Sequence, residues 1–431
     1  MRHKAILILG MLQVGPLLAD WSAPTTLSSG GDAEQVRLAM DPSGNAFANW
    51  QLSFANTQLV QSSIRPSNGS WTNSIDVSDP SSGINDHELA VDWSGNAYAF
   101  WNPSEGGTSF VLASWRPSNQ YWSSSTILEY GASESSPRLA ARVWGTAIAV
   151  WTGFNGTNSI IQASSYANGQ WALPGVVVSD PSQNSDHAAV GIDQNGNAIV
   201  VWESNNGSNT VIQTSICSAM VCSAPYTLSY PLDNAFSPQI AVNSAGQAVA
   251  VWKRWNGGNW VIDSASYINN AWWSMPVELS LPGQNADLPQ VGIDQYGRAA
   301  AVWKRFDGSN NIIEGTASLG GSTWIRPLVI SAPGEDADTP SLAVNDQGEI
   351  AVVWSRSDGS NAIAEVSTAT LTQAASSPFN FWSAPVDLSV AGLDALNPRA
   401  IIDSSGNVVA AWQYGSSGAY AIQAVVGNNL Y

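Results

Sequence analysis

The sequence predicts an all-β, eight-bladed β-propeller of four-stranded blades, its ring closed by the N-terminal strand. Three observations predict it. A tryptophan recurs eight times, at Trp50, Trp101, Trp151, Trp202, Trp252, Trp303, Trp354 and Trp412, with spacings of 51, 50, 51, 50, 51, 51 and 58 residues. A glycine stands six residues before each of them, from Gly44 to Gly406. Asn-Gly or Asp-Gly follows five of them, at Asn155, Asn206, Asn256, Asp307 and Asp358. Short β-rich runs repeated at this period, with a turn between each, build radial four-stranded sheets.

The elements follow from repeat five. Residues 239–242 and 248–252 read as strands A and B, joined by a turn ending in Gly246. Residues 260–266 and 277–280 read as strands C and D. Nine residues before the tryptophan stands Asp41, Asp92, Asp193, Asn243, Asp294, Asn345 or Asp403, and Arg142 in repeat three. An Asx side chain accepts from the backbone two residues on, and glycine supplies positive φ, so this is hairpin chemistry. The Asn-Gly and Asp-Gly pairs between B and C predict type I′ turns. A second series, Trp21, Trp71, Trp122, Trp171, Trp273, Trp324 and Trp382, opens the strand D phrase, with Cys222 in its place in repeat four. The last repeat ends after strand C, and the phrase beginning at Trp21 supplies the missing strand D. Extra residues at 370–380 fall in the C–D connection of blade seven.

Composition bounds the class. The chain has 431 residues, 44% of them hydrophobic and 11% charged, enough for a large core and too weakly charged for a disordered polyelectrolyte. Residues 1–19, basic and then apolar, read as a signal peptide, leaving 20–431 as one propeller domain. No other apolar run is long enough to span a bilayer. Export to the periplasm or medium makes a Cys217–Cys222 disulfide the expected state. The net charge of −18 disfavours nucleic acid and anionic membranes as partners. A monomer is expected.

The phrase Asp-x-x-Gly-Asn-Ala-x-x-x-Trp resembles the repeat of secreted bacterial propeller proteins. It is loosely similar to the Asp-box of sialidase-like propellers and lectins, though its Gly-to-Trp spacing is longer. Eight Trp-marked blades are also similar to quinone-dependent dehydrogenases and an outer-membrane assembly scaffold, again with a different register and without an adjacent cysteine pair. The resemblance implies the fold and leaves function open.

Three constellations bear on chemistry. Thirteen residues before the blade tryptophan, Arg37, Glu88, Arg138 and Arg399 come from four adjoining blades. Arginines converging at a channel mouth would clamp a carboxylate. Loops from strand D to the next strand A carry acids, among them Glu134 and the candidate Ca²⁺ ligands Asp86, Asp186, Asp287 and Asp338; no other cofactor is expected. Near the B–C turns, Arg254, Trp255, Trp260, Arg305 and Phe306 would make a shallow sugar or peptide site. His87 and His187 lie on separate blades, too few for zinc. Glu129-Tyr130 are neighbours on one strand, where alternation points them apart. The expected function is recognition of a glycan or protein, lectin-like or adhesin-like. The alternatives are a sialidase-like glycoside hydrolase using the arginine cluster and a cell-envelope assembly scaffold.

Overall fold

A computed structural model describes residues 20–105, 108–130, 136–142, 145–268 and 271–428. The expected signal peptide and Glu134 lie outside the described residues. Eight antiparallel sheets follow one another along the chain, seven of them with strands A to D in sequence order from axis to rim and the eighth taking its strand D from the N-terminal segment. Blade five comprises Ala235–Val242, Ala248–Trp255, Trp260–Ile268, and the short outer pair Trp272–Trp273 and Val277–Glu278. Blade eight closes the ring as expected: Asp20–Trp21 and Thr25–Thr26 both pair with Ala421–Asn428. Gly427 makes the closure possible, because a Cβ there would come within 2.9 Å of the Trp21 ring.

The tryptophan of every strand B is fully buried, and each forms a cluster with aliphatic residues of neighbouring blades, as Trp303 does with Val249, Ile262 and Leu279. The hydrophobic core is therefore eight inter-blade layers rather than one central mass. In the seven A–B turns that carry Asx the side chain works as the spacing predicts. Asp294 Oδ1 accepts from the N–H groups of Tyr296 (2.9 Å) and Arg298 (2.8 Å), and Gly297 adopts φ +80°.

Two local features differ from expectation. The B–C hairpin of blade five is not type I′, which needs positive φ at both Asn256 and Gly257; only Gly257 has it, at +96°. Asn256 Oδ1 instead accepts from Gly258 and Asn259 N–H at 3.1 and 2.9 Å, so the side chain replaces a main-chain acceptor. Strand A also begins earlier than read and carries a bulge. Six blades place a non-glycine residue in the left-handed region there: Gln35, His187, Ser237, Leu288, Thr339 and Asn397, with φ between 50° and 55°. The extra residues of blade seven form a helix, Leu371–Ser376, capped by Thr370 and Gln373 and seated through Leu371 and Ala374.

D–A and B–C connections share the upper face, and A–B and C–D turns share the lower. At the lower face one side chain spans the channel. Arg142, the one departure from the Asx rule, reaches from blade three across the axis. It donates to Val242 O of blade five (2.9 Å) and pairs with Asp346 of blade seven (3.1 Å). Its guanidinium also lies 5.5 Å over the Trp93 ring of blade two. Around it is a cavity of about 410 Å³ lined from seven blades.

Candidate functional site

The upper channel mouth holds the densest charge network near the axis. Strand A delivers one side chain per blade to this level. Arg37 Nη2 lies 2.8 Å from Asp86 Oδ1 and its Nε 3.2 Å from Glu88 Oε1. Arg138 Nη1 lies 3.2 Å from Asp86 Oδ2 and 3.5 Å from Glu88 Oε1. Two carboxylates of blade two are thus shared between arginines of blades one and three. Burial works against charge on Arg37, but Glu88 and Asp86 outweigh it and raise its pKa.

Arg399 of blade eight stands beside this network without entering it. Its Nη1 donates to Pro398 O at 3.3 Å, and among the described residues no carboxylate pairs with it. Burial first, then the positive charges of Arg37 and Arg138, bring its pKa down to about 10, against a smaller opposing pull from Glu88 and Asp86. Among the described residues three guanidinium groups therefore face two carboxylates, a positive spot on a protein of net charge −18. At the same position blades four to seven carry the uncharged Ala189, Gln239, Gln290 and Ser341.

Behind the network, His87 is fully buried. Neither ring nitrogen has a hydrogen bond of normal geometry, nor do Asn49 Oδ1 and Nδ2, Gln51 Oε1 or Ser62 Oγ of blade one. Burial, then Arg37, hold the imidazole neutral down to about pH 3, with Asp86 and the Asn49 backbone opposing.

The loop acids serve the joints between blades. Asp186 accepts from Thr152 Oγ1 at 2.7 Å, Asp287 binds Lys253 Nζ at 3.0 Å and Asp338 binds Lys304 Nζ at 3.0 Å; each cation or hydroxyl comes from the preceding blade. Asp86 is held by the two arginines. Among the described residues no three His, Cys, Asp or Glu side chains converge where a metal could be held.

The B–C residues divide into two sets. Arg254 lies inside an acidic cage, 2.6 Å from Asp263, 3.0 Å from Glu278 and 3.1 Å from Asp233. Arg305 pairs with Glu314 at 2.7 Å, and Arg356 repeats the pattern with Glu365 at 2.7 Å. All three arginines join strands B and C of one blade, and Arg254 and Arg356 also reach strand D through Glu278 and Asp387. The aromatic members stand outside: Trp255 and Phe306 are exposed, as are Phe54 and Phe154 at related places on the upper face. Trp260 packs edge-on to Trp255, with ring centres 5.3 Å apart, and receives Lys253 Nζ at 5.4 Å. Glu129 accepts from Trp151 Nε1, while Tyr130 is exposed and packs on Phe110; the two do not meet.

Sequence reading missed the partners of these groups. The acids Asp263, Glu314 and Glu365 stand eleven residues after the blade tryptophan in the same three repeats that carry arginine two residues after it. That joint departure was the available signal. His87 and Asn49 likewise depart from a Pro or Ala and a Val in most other repeats.

Cys217 and Cys222 form a disulfide across the C–D turn of blade four, with Cα atoms 4.0 Å apart. No helix among the described residues is long and apolar enough to cross a membrane.

No protein-family model matches the sequence, and no curated protein matches it. Solved structures do. An ulvan lyase of polysaccharide lyase family PL25, bound to -[GlcA(1-4)Rha3S]-, superposes with a TM-score of 0.52 at 9% identity, covering 94% of this chain and 95% of that one. The polysaccharide lyase Uly1 gives 0.50 at 9% identity, covering 94% and 91%. A prolyl endopeptidase gives 0.51 at 14% identity, covering 89% of this chain but only 53% of its own. At these identities the likeness is one of fold, shared by proteins of unlike chemistry.

Proposed function

We propose that this protein recognises glycans bearing a carboxylate, bound at the upper mouth of the channel. The observation that carries the reading is Arg399, a guanidinium held beside two others with no acid of its own among the described residues. A partly buried cation of lowered pKa costs folding free energy, and such perturbed groups cluster at functional sites. A carboxylate arriving there would receive charge-assisted, bidentate hydrogen bonds. The same strand-A position in blades five and six, Gln239 and Gln290, offers amides to sugar hydroxyls, and exposed aromatic rings on the same face offer stacking surfaces. The two polysaccharide lyases among the structural neighbours support a saccharide ligand. The disulfide supports an oxidising compartment, periplasmic or extracellular.

The deciding substitution is Arg399→Ala. Replacing Arg37 or Arg138 would strand Asp86 and Glu88 and confound folding with binding. Replacing Arg399 strands nothing and removes like-charge repulsion. Titration of uronate- and sialate-terminated oligosaccharides should show affinity reduced at least about tenfold in Arg399→Ala, while its melting temperature holds or rises. Binding unchanged by this substitution overturns the reading, as does a screen in which no acidic glycan binds the unaltered chain. The second reading, cleavage of the bound glycan, is favoured by the neighbours being lyases; it requires new chain ends to accumulate in the same mixtures.

A further inference from the structure

Six tryptophans fall outside both repeat series, and one of them, Trp272, lines a pocket far from the channel mouth. The pocket lies at the lower outer rim between blades four and five and has a volume of about 270 Å³. Its floor is Tyr267 and Trp273, rings tilted at 45° with centres 5.4 Å apart. Its walls are Tyr226 and Trp272, each 56% exposed. A large indole left half in water beside a concavity is not needed for the blade, whose inter-blade layer is already filled by Trp252 and Trp273.

The chemistry of the lining identifies an occupant. None of the nine described lining residues is charged, and five bear a hydroxyl. Ser215 Oγ is committed to Ser223 O at 2.7 Å and Thr214 Oγ1 to Val200 O at 2.9 Å. The hydroxyls of Tyr226 and Tyr267 have no hydrogen-bond partner among the described residues. Burial raises the Tyr267 pKa, so its O–H remains a donor throughout the physiological range. Aliphatic lining is confined to Ile216 and Ala271, which argues against a socket for an aliphatic side chain. The volume falls just below the roughly 300–1,000 Å³ of pockets that enclose drug-sized ligands, which suits one ring rather than a chain.

From this juxtaposition of two exposed aromatic faces with two free phenolic hydroxyls in an uncharged pocket, we infer a second binding site that takes a single neutral pyranose. The C–H face of the sugar stacks on Trp272 and Tyr226, and its hydroxyl edge meets Tyr226 and Tyr267. This site lies on the opposite face from Arg399 and does not rest on the channel-mouth reading. The full chain would then carry an acidic-sugar site above and a neutral-sugar site below.

Saturation-transfer NMR and calorimetric titration of the full chain with neutral methyl hexopyranosides test this. One glycoside should bind, with affinity lowered at least about tenfold in both Trp272→Ala and Tyr226→Phe and unchanged in Arg399→Ala. Both residues are exposed, and melting curves close to that of the unaltered chain should accompany the loss. Binding that survives Trp272→Ala overturns the assignment, as does the absence of binding by every neutral glycoside. Binding of indole or toluene in place of any glycoside overturns it in favour of an apolar side chain from another protein.

Discussion

His87 shows what a single residue adds to a repeat. Five other blades place proline at this position and one places alanine, so the backbone neither needs a side-chain donor there nor expects a titratable one. The imidazole is neutral in the fold down to about pH 3, whereas in the unfolded chain it takes up a proton near 6.5. The unfolded state therefore binds more protons between those values, and stability falls as pH drops through that window and is flat above it. Each unit of such a shift corresponds to about 1.4 kcal/mol, so this buried group contributes to acid lability. His87→Ala should lose distinctly less melting temperature between pH 7 and pH 4 than the unaltered chain; equal losses would show that the imidazole is not held neutral. The Arg399 substitution belongs to the same scale: among the described residues His87 has no hydrogen-bond partner for its ring and Arg399 no carboxylate.

At the scale of the element, the turn was legible and the bulge was not. Asx nine residues and Gly six residues before the tryptophan define the A–B hairpin because each performs one local act, accepting from the nearby backbone or taking positive φ. The strand A bulge has no such mark. Gln35, His187, Ser237, Leu288, Thr339 and Asn397 share a left-handed φ but no chemistry, so the conformation is imposed by the blade on whatever residue falls there. This gives an unusual expectation for glycine. Leu288 is 36% exposed with φ 54°, and a branched side chain in that region costs roughly 1–2 kcal/mol. Leu288→Gly should hold or raise the melting temperature, the reverse of glycine's usual effect inside a strand. A fall of several degrees would mean that the leucine side chain contributes more than its backbone costs. Cys217 and Cys222 teach a related lesson: they occupy the places that Tyr166 and Trp171, or Tyr267 and Trp273, hold in other blades. One covalent bond stands where an aromatic pair stands elsewhere. The pairing was readable from compartment and spacing, but the equivalence needed the register.

For the whole molecule, the ring was legible because the phase of its two ends is a sequence property. The site was only half legible. The common position of Arg37, Arg138 and Arg399 can be counted from the tryptophans. That Asp86 and Glu88 satisfy two of them and leave the third depends on which side chains meet across blade boundaries, and no spacing encodes that. Arg142 is a further case: its departure from the Asx rule was visible, but its partners are 100 and 204 residues away. Ring closure yields the last prediction. Deleting residues 20–28 removes strand D of blade eight and exposes the edge of Ala421–Asn428. The truncated chain should melt earlier and in more than one step by calorimetry, as neighbour-only contacts replace a closed circuit. A single transition at the original temperature would show that the closing strand carries no load.

That same closure sets a schedule for synthesis. Thr25 pairs with Ala424, so the closing segment must wait for a partner made 399 residues later. At roughly 5–20 residues per second the interval is about 20–80 s, long compared with the microseconds in which hairpins such as those within each blade form. Seven blades can assemble while the closing strand remains single and exposed to any other strand edge. Its two paired segments are only two residues each, and one is Thr25–Thr26. Brevity and polarity keep a waiting strand from finding the wrong partner. A nascent chain stalled before residue 420 should accordingly be open to proteases at its N-terminus while its middle blades already resist them.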